Sequence, residues 1–525
     1  MRKLAICGLF FSILASAADL AGTWQNEQQG RGQATITTCV FKVDGNKLTG
    51  TYATTSRAFD IEKGAVDGAT FTFQTSDGFQ TPPRVTEYKG ELNGDQFTLT
   101  TVAPARPNAA VTAAAAAGRG GRGFGPPQPR AFKRTSSDTV FHPSPELTRT
   151  HQPFPAFKPI TPNGFAKTPP MGWNSWNKFA GRVDDKSVRE MADAIASSGM
   201  RDAGYLYVNI DDTWEGTRDK DGNITSNEKF PNMKALADYV HSKGLKIGIY
   251  SSPGRKTCAG YEASYGHEQQ DANTWAAWGF DYLKYDWCSA TSVYRPDEMS
   301  SAYQKMAVAL RATGRPIIYS LCQYGELEVG EWGAAAGGNL WRTTGDINDT
   351  WATMSRIGFD QQVGREKYAG VGHWNDPDML EIGNGGMTTT EYRTHMSLWS
   401  ILAAPLLAGH DVRTMPDFTR DILLNKDVIA IDQDPAGIQG TRVRKEGPDG
   451  ASLEVWKKPL AKGVAVGLFN RGLEPAQMTV KWSEVGITTE NPKVRDLWRH
   501  QDVTNAATEY TVNVPSHGVV LLRVE

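Results

Sequence analysis

A lysine and an aspartate two positions apart stand near the end of residues 282–288, which read Tyr-Leu-Lys-Tyr-Asp-Trp-Cys. Because alternate side chains of an extended chain point to the same side, Lys284 and Asp286 are expected to share one face of a strand. Taken alone, the segment also fits a buried strand whose last acid caps the following helix. Strand-like runs that end in polar or aromatic residues recur over residues 171–411, and this recurrence favours a site where chemistry occurs.

The residues at the ends of these runs are rich in carboxylates and aromatic rings. They are Trp173, Trp176, Asp211, Asp212, Tyr250, Lys284, Asp286, Cys322, Arg342, Asp346 and Asp378. Such a set fits glycoside hydrolysis, in which one acid protonates the leaving oxygen while a second carboxylate attacks or stabilises the oxocarbenium-like carbon. Further aspartates can accept hydrogen bonds from sugar hydroxyl groups, and fixed acceptors of this kind discriminate between epimers.

Other chemistries find little support in the same region. His373 and His410 lie near the strand ends, but single histidines are expected to pack or to orient a neighbour rather than to form a metal site. The sequence has no glycine-rich phosphate loop and no convincing serine–histidine pair. We therefore expect neither a metal ion nor any other cofactor.

The elements that must position these residues alternate between strands and helices. Helical periodicity covers residues 187–203, 233–243, 271–278, 299–312 and 392–402. Strand-like runs cover residues 205–210, 244–250, 282–288, 316–322, 340–346, 371–378 and 405–408, and one more begins at residue 171. About eight such units over ~270 residues predict a (β/α)8 TIM barrel, in which the strand ends converge on one mouth.

The beginning of the chain predicts export. Residues 1–18 combine a basic start, a short apolar run and small residues, which is typical of a cleaved signal peptide, here cut after Ala17 or Ala18. The run is shorter than the roughly 20 residues of a membrane span. We expect a periplasmic or extracellular protein. With a net charge of −2 over 525 residues, no nucleic acid or membrane surface is indicated as a partner.

Three further regions flank the predicted barrel. Residues 19–137 indicate a small all-β domain, because alternating runs flank turns at Gly45, Gly68 and Gly94. Within it, residues 103–129 are rich in Ala, Gly, Arg and Pro and predict a disordered loop, with a last strand at residues 131–135. Residues 138–164 predict a proline-rich linker. This β domain fits either a sugar-binding module or a spacer.

The remaining boundaries follow from the pattern after the barrel. Residues 165–437 are expected to form the catalytic barrel, and residues 438–525 a C-terminal antiparallel β-sandwich. The sandwich is predicted from short alternating runs at residues 452–457, 464–469, 478–482 and 519–524.

Residues 165–525 resemble the α-galactosidases of glycoside hydrolase family 27. The motifs that carry the resemblance are Thr168-Pro-Pro-Met-Gly-Trp-Asn-Ser-Trp176, Asn209-Ile-Asp-Asp212, Gly248-Ile-Tyr-Ser251, Lys256-Thr-Cys-Ala-Gly260, Leu283-Lys-Tyr-Asp286, Trp341-Arg-Thr-Thr-Gly-Asp346 and Trp374-Asn-Asp-Pro-Asp-Met-Leu380. Each motif is modest, but their order and spacing together are specific. The resemblance implies an exo-acting enzyme that hydrolyses terminal α-D-galactosyl residues of oligosaccharides or polysaccharides by a retaining double displacement.

The resemblance also assigns the two reacting carboxyl groups. Asp286 matches the nucleophile and Asp346 the acid/base. Asp211 and Asp212 match the pair that binds the 4- and 6-hydroxyl groups of galactose, although an Asx turn or helix cap would also explain them. Lys284 matches the lysine on the 3- and 4-hydroxyl side, and its charge should favour the ionised form of Asp286.

The same comparison assigns the rest of the pocket. Trp176 matches the stacking platform, and Tyr250 lies against the nucleophile in the family. Arg342 and Asp378 match binders around the 2-hydroxyl and leaving-group side, although Arg342 could instead form a structural ion pair. Cys258 and Cys288 align with a family disulfide, which is expected here.

One loop departs from the family pattern. Many members read Ser-Leu-Cys-Glu-Trp-Gly where this chain has Ser-Leu-Cys322-Gln323-Tyr324-Gly. The loop faces the 2-substituent, and Cys322 and Tyr324 are not the small pair of α-N-acetylgalactosaminidases, so galactose is favoured. β-L-Arabinopyranosidase activity is the other alternative on this fold, and Asp212 in place of a longer glutamate argues against it. A non-catalytic sugar-binding protein is the alternative from another class.

Overall fold

The computed structural model describes residues 17–29, 34–54, 57–77, 84–102, 129–144, 156–504 and 506–525. The chain forms an N-terminal unit that extends to Thr150 and a C-terminal unit from His151 to Glu525. Most of the predicted signal peptide, nearly all of the predicted loop at residues 103–129 and the middle of the predicted linker lie outside the described residues. Within the described part, no helix has the length and apolar character needed to cross a membrane.

The N-terminal unit is an all-β barrel. Its strands are β1 (Gly22–Gln29), β2 (Ala34–Asp44), β3 (Lys47–Ala53), β4 (Ala58–Asp60), β5 (Glu62–Asp67), β6 (Thr70–Asp77), β7 (Arg84–Asn93), β8 (Gln96–Val102) and β9 (Arg130–Ser136). Antiparallel pairing runs β1-β2-β3-β5-β6-β7-β8-β9 and returns from β9 to β1, while β4 pairs with β3. The ring of eight strands is thus closed. The three predicted hairpins are present, and β9 is the predicted last strand.

Aromatic side chains fill much of the interior of this barrel. Trp24, Phe41, Phe71, Phe97 and Phe132 are each at most 2% exposed. Neighbouring rings among them meet at centroid distances between 4.7 and 5.6 Å, which is the range for favourable edge and offset-stacked contacts. The alternation that places them inside is the same alternation that predicted the strands.

The C-terminal unit contains the predicted TIM barrel. Its eight parallel strands are β10 (Met171–Asn174), β11 (Tyr207–Asn209), β14 (Lys246–Ser251), β15 (Tyr282–Asp286), β16 (Ile318–Cys322), β17 (Leu340–Arg342), β18 (Trp374–Asp376) and β19 (Leu406–Ala408), and a small hairpin, β12 (Glu215–Arg218) and β13 (Ile224–Ser226), follows β11. The strands lie in chain order, and β19 pairs with β10. After β18, the Leu380 N–H donates to the Leu407 carbonyl at 2.8 Å, which closes the ring.

Helices connect these strands. They are α1 (Trp176–Phe179), α2 (Asp185–Ser197), α3 (Met233–Ser242), α4 (Glu268–Trp278), α5 (Met299–Ala312), α6 (Val329–Trp332), α7 (Trp351–Ser355), α8 (Thr389–Ile401), α9 (Asp417–Leu423) and α10 (Lys426–Asp432). The predicted helix at residues 187–203 is shorter than expected. It begins with a capping box between Asp184 and Ser187 and ends at Ser197, because Gly199 adopts a left-handed φ of +93°.

The C-terminal strands form a sandwich of two sheets. They are β20 (Thr441–Glu446), β21 (Leu453–Pro459), β22 (Val464–Asn470), β23 (Ala476–Lys481), β24 (Val494–Asp496), β25 (Gln501–Asp502), β26 (Glu509–Val514) and β27 (Val519–Val524). One sheet has the order β20-β21-β22-β27-β24-β25, and β23 pairs with β26 in the other. All pairings are antiparallel, as predicted, and a buried apolar cluster lies between the sheets.

Candidate active site

Two aspartates extend from nearby strand ends of the barrel, in contrasting surroundings. Asp286 is the last residue of β15 and is 6% exposed. Asp346 follows β17 by four residues, and its side chain is 70% exposed. One carboxyl group is therefore enclosed by protein, while the other faces solvent at the mouth of the barrel.

The Asp286 carboxylate is held by two tyrosine hydroxyls. The Tyr250 hydroxyl donates to Oδ2 at 3.3 Å, and the Tyr324 hydroxyl donates to Oδ1. Burial raises the pKa of Asp286 to about 6, although the Lys284 ammonium and the Tyr324 hydrogen bond act in the opposite direction. The charge of Asp346 also raises this pKa, so the two carboxyl groups interact electrostatically.

A second acidic group lies on the neighbouring strands. Lys284 Nζ contacts Oδ2 of Asp211 at 2.8 Å, and the side-chain amide of Asn174 donates to the same oxygen at 2.7 Å. Lys284 is on β15 with Asp286, as the alternation predicted. The lysine thus links the carboxylate after β11 with the strand that carries Asp286.

Asp212 is also buried, and its oxygens accept backbone hydrogen bonds. Oδ2 accepts from the Ala259 N–H at 2.7 Å, and Oδ1 accepts from the Thr213 N–H at 2.7 Å. Burial raises the pKa of Asp212 to about 6. These hydrogen bonds support the interpretation that Asp212 stabilises a turn. A sugar hydroxyl could still bind to the carboxylate lone pairs that the two N–H groups do not use.

Arg342 connects three predicted site residues on the other side of the pocket. Its Nη2 lies 2.8 Å from Oδ2 of Asp378 and 3.1 Å from Oδ1 of Asp346, and its Nη1 lies 3.7 Å from the sulfur of Cys322. The structural ion pair considered for Arg342 is thus present, with Asp378 as the buried partner. The same guanidinium also anchors the exposed Asp346 carboxylate.

The structure joins Cys258 to Cys288 by a disulfide, as the resemblance implied. The hydroxyl of Tyr324 lies 3.5 Å from the sulfur of Cys258 and 3.6 Å from that of Cys288. Cys322 is a free, buried cysteine. Trp176 is partly buried at the start of α1, directly after β10, and its backbone N–H donates to Asn174 at 2.8 Å. The predicted residues therefore all lie within the last three residues of a barrel strand or in the loop that follows it.

Comparison with known proteins identifies the family. The α-galactosidase A family model matches residues 168–434, and the α-galactosidase C-terminal β-sandwich model matches residues 450–524. The chain belongs to the α-galactosidase family. The predicted resemblance, the barrel-and-sandwich architecture and the enzyme class, a glycoside hydrolase of the α-galactosidase type, are confirmed.

Individual relatives of the family cover the same region. Alpha-galactosidase 3 of Arabidopsis thaliana is 50% identical over 361 residues, which are 68% of this chain and 81% of the relative. The solved structure of α-galactosidase I from Mortierella vinacea is 38% identical with a TM-score of 0.66, and the match covers 69% of this chain and 98% of that one. A solved structure from Bacteroides fragilis is 34% identical with a TM-score of 0.65, and the match covers 83% of this chain and 87% of that one.

Two residues of this α-galactosidase-family site, Asn174 and Ser175, were not predicted from the sequence. Asn174 holds Asp211, and the Ser175 hydroxyl accepts from the Asp211 N–H at 3.0 Å. Both lie in the first motif of the resemblance, which could have indicated them. The side-chain amide of Gln323 is buried without a hydrogen-bond partner among the described residues, next to Cys322 in the departing loop.

Proposed function

We propose that this enzyme releases terminal α-D-galactosyl residues with net retention of configuration, using Asp286 as the nucleophile and Asp346 as the acid/base. The observation that supports this proposal best is the contrast between the two carboxyl groups. Asp286 is enclosed and is held by two hydroxyl donors, whereas Asp346 is open to solvent and anchored by Arg342. A fixed nucleophile and an accessible proton carrier are what double displacement requires.

In the first step, Asp346 donates its proton to the leaving glycosidic oxygen as Asp286 attacks the anomeric carbon. The C–O bond to the leaving group breaks, and a β-galactosyl ester forms on Asp286. The hydroxyl bonds from Tyr250 and Tyr324 keep the carboxylate oriented before the attack. A retaining site requires a separation of ~5–5.5 Å between the two carboxyl groups.

In the second step, Asp346 acts as a base and removes a proton from water. The resulting nucleophile attacks the anomeric carbon, and Asp286 leaves as a carboxylate. Exposure of the Asp346 side chain gives water a direct approach to this base. The product is α-galactose, because two inversions restore the starting configuration.

Substrate selection is proposed to depend on the polar groups beside Asp286. Asp211, Asp212 and Lys284 would bind the 3-, 4- and 6-hydroxyl groups of galactose, as they do in the family pattern. Tyr324 and Cys322 would lie beside carbon 2 of the sugar and would leave little room there for an acetamide group. A panel of aryl α-galactoside, α-N-acetylgalactosaminide and β-L-arabinopyranoside tests this selection, and we expect the α-galactoside to have the highest kcat/KM. A higher value for either of the others would refute it.

Time-resolved ¹H NMR tests the retaining course. During hydrolysis of an aryl α-galactoside, the α-anomer of free galactose should appear first and the β-anomer only later, through mutarotation. First appearance of the β-anomer would show inversion and would reject the double displacement.

Export is part of the proposal and is supported by residues 1–18 alone. N-terminal sequencing of the mature protein from its native host should begin at residue 18 or 19. A mature chain that still begins with the basic residues at positions 2 and 3 would contradict export by a cleaved signal peptide, and fractionation of the host would separate the periplasm from the medium.

A further inference from the structure

Thr213 stands directly after the aspartate pair and has an unusual backbone conformation. Its φ is +85°, in the left-handed region, and the residue is fully buried. A β-branched residue rarely adopts this conformation and is strained unless its surroundings hold it there. The Thr213 N–H donates to Oδ1 of Asp212 at 2.7 Å. Because φ sets how this N–H lies relative to the residues that follow, the position of the Asp212 carboxylate depends on the conformation of Thr213.

Side chains from the segment after β13 hold Thr213 in place. Nζ of Lys229 donates to Oγ1 of Thr213 at 2.9 Å, and the side-chain amide of Asn227 donates to the Thr213 carbonyl at 2.9 Å. The Thr213 N–H is shared, because Oε2 of Glu215 also accepts from it at 3.0 Å. The N–H, the carbonyl and the hydroxyl of Thr213 therefore all have partners, which is how a strained conformation persists in a folded protein.

Lys229 also contacts the loop that follows β10. Its Nζ donates to the Gly181 carbonyl at 3.1 Å. Gly181 lies just after α1, the helix that begins at Trp176, and its neighbour Ala180 has a left-handed φ of +47°. One ammonium group thus joins the loop that carries Trp176 to the loop that carries Asp212, and each contact lies at or next to a residue with a left-handed φ.

The charge of Lys229 also acts on the neighbouring acids. Burial lowers the pKa of Lys229, and the charges of Glu215 and Asp212 act in the opposite direction. Burial, together with the charge of Asp212, raises the pKa of the fully buried Glu215 well above its usual range. The lysine can therefore affect Asp212 in two ways, by its charge and through Thr213, and only the second way depends on the side chain at position 213.

We propose that Lys229 is a positioning residue for galactose binding, which holds Thr213 in its left-handed conformation and thereby fixes the Asp212 carboxylate against the sugar hydroxyl groups. Lys229 does not contact the sugar itself. This role rests on the proposed function, in which Asp212 binds galactose. It extends that function, because sugar affinity then depends on a side chain from the segment between β13 and α3.

Kinetics of K229M with an aryl α-galactoside, with D-galactose as a competitive inhibitor, test the proposal. We expect KM and the Ki of D-galactose to rise by the same factor, roughly 10-fold, because a hydrogen bond to an ionised group is weakened in both complexes. The kcat should stay within about two-fold, since binding lost equally from ground state and transition state changes KM alone. A purely structural role would instead lower the folded fraction, which reduces the apparent kcat and leaves KM and Ki unchanged.

A double-variant cycle with T213G tests whether the effect passes through Thr213. Glycine adopts a positive φ without strain, so the backbone of T213G keeps its conformation without help from Lys229. Adding K229M to T213G should therefore change KM by less than about two-fold. If Lys229 acted by its charge alone, the rise in KM would be as large in T213G as in the wild type.

The matched control is K234M. Lys234 is an exposed lysine on α3 that pairs with the exposed Asp238 at 2.7 Å, so K234M removes the same charge away from the site. Its KM and Ki should equal those of the wild type. If circular dichroism shows that K229M does not fold, T213A removes the acceptor of the same hydrogen bond, and KM and Ki should then rise about five-fold.

Three results would overturn the proposal. They are values of KM and Ki in K229M equal to those in K234M, a fall in kcat with KM unchanged, and an equal rise in KM with and without T213G. A wild-type protein that hydrolyses no α-galactoside would refute the proposed function and this role with it. Wild-type turnover together with an unchanged KM in K229M would refute the role of Lys229 alone.

Discussion

At the scale of single residues, the central feature is an anionic group enclosed by protein. Asp286 keeps its function only if its charge is compensated, and three neighbouring side chains compensate it. Tyr250 and Tyr324 act through hydrogen bonds, and Lys284 acts through its charge. Tyr324 stands where many members of family 27 have tryptophan. The group that donates to the nucleophile from this position is therefore a phenolic hydroxyl, whereas a tryptophan would offer only its indole N–H.

The first prediction concerns the pH dependence of turnover. Asp286 must be ionised to attack, and burial raises its pKa to about 6, so kcat/KM should fall as the pH decreases through about 6. In Tyr324→Phe the hydrogen bond that lowers this pKa is lost, and the acid limb should move to higher pH. Profiles of kcat/KM for both proteins measure the shift.

Tyr319→Phe is the control for this experiment. Tyr319 is buried on the adjacent β16, but its hydroxyl donates to the Tyr303 carbonyl at 3.0 Å and not to Asp286. The acid limb of kcat/KM for Tyr319→Phe should therefore lie at the same pH as that of the wild type. If the acid limb of Tyr324→Phe stays at the wild-type pH, or if it shifts equally in both variants, then Tyr324 does not control the ionisation of Asp286.

The second prediction concerns Asp346. In Asp346→Ala, substrates with poor leaving groups should lose roughly 10²–10⁴-fold in rate, because protonation of the leaving oxygen is lost. Azide should restore turnover of an activated aryl galactoside and give α-galactosyl azide, since the small anion needs no base. Loss of activity that azide does not restore, with the variant folded, would argue against the acid/base role.

At the scale of elements, the strand ends decide which side chains meet. The runs that predicted β14, β15 and β16 lie within one or two residues of the observed strands, because buried parallel strands read as continuous apolar segments. The contact of Tyr324 with Asp286 was not predictable in this way. Tyr324 adopts a φ of +61°, and this backbone conformation, together with Gly325 at +80°, directs the loop over the nucleophile.

The disulfide gives the third prediction, at the same scale. Cys258 and Cys288 close a loop with a sequence separation of 30, which corresponds to about 3–4 kcal/mol in the chain-entropy model. The double variant Cys258→Ser/Cys288→Ser should lose about this free energy of unfolding. Urea denaturation measures it, and Cys322→Ser, which removes a free thiol instead, is the comparison. Equal free energies of unfolding for the double variant and the wild type would show that the disulfide does not stabilise the fold.

At the scale of the whole molecule, a buried charge network joins the TIM barrel to the sandwich. Arg471 bonds Asp360 at 2.7 and 2.9 Å and Glu454 at 2.9 Å, and both Arg471 and Glu454 are almost fully buried. Without Arg471, the buried Glu454 would keep only one cationic partner among the described residues, Arg442, whose Nη1 lies 3.5 Å from Oε2, so the network should couple the stability of the two domains.

The fourth prediction follows from this network. Arg471→Met should lower the free energy of unfolding by about 3–5 kcal/mol, because the charge of Glu454 is left buried. The control is Arg420→Met, which breaks an exposed pair with Asp417 and should cost less than about 1 kcal/mol. Similar urea midpoints for the two variants would contradict a structural role for the network.

The sequence could not predict the long-range strand pairing that closes the N-terminal barrel. The hairpins of the N-terminal domain were predictable because Gly45, Gly68 and Gly94 act within a few residues. The pairing of β9 with β1, which joins Arg134 to Trp24 and closes the barrel, spans more than one hundred residues and leaves no local pattern.

Covalent trapping tests the central assignment most directly. A galactosyl fluoride that carries a second fluorine on the ring slows both steps but leaves its anomeric fluoride as a good leaving group, so the ester intermediate accumulates. Mass spectrometry of proteolytic peptides should find one galactosyl adduct on the peptide that contains Asp286, and Asp286→Asn should form none and lose roughly 10⁴-fold or more in turnover. An adduct on another residue, or full activity in Asp286→Asn, would contradict the account.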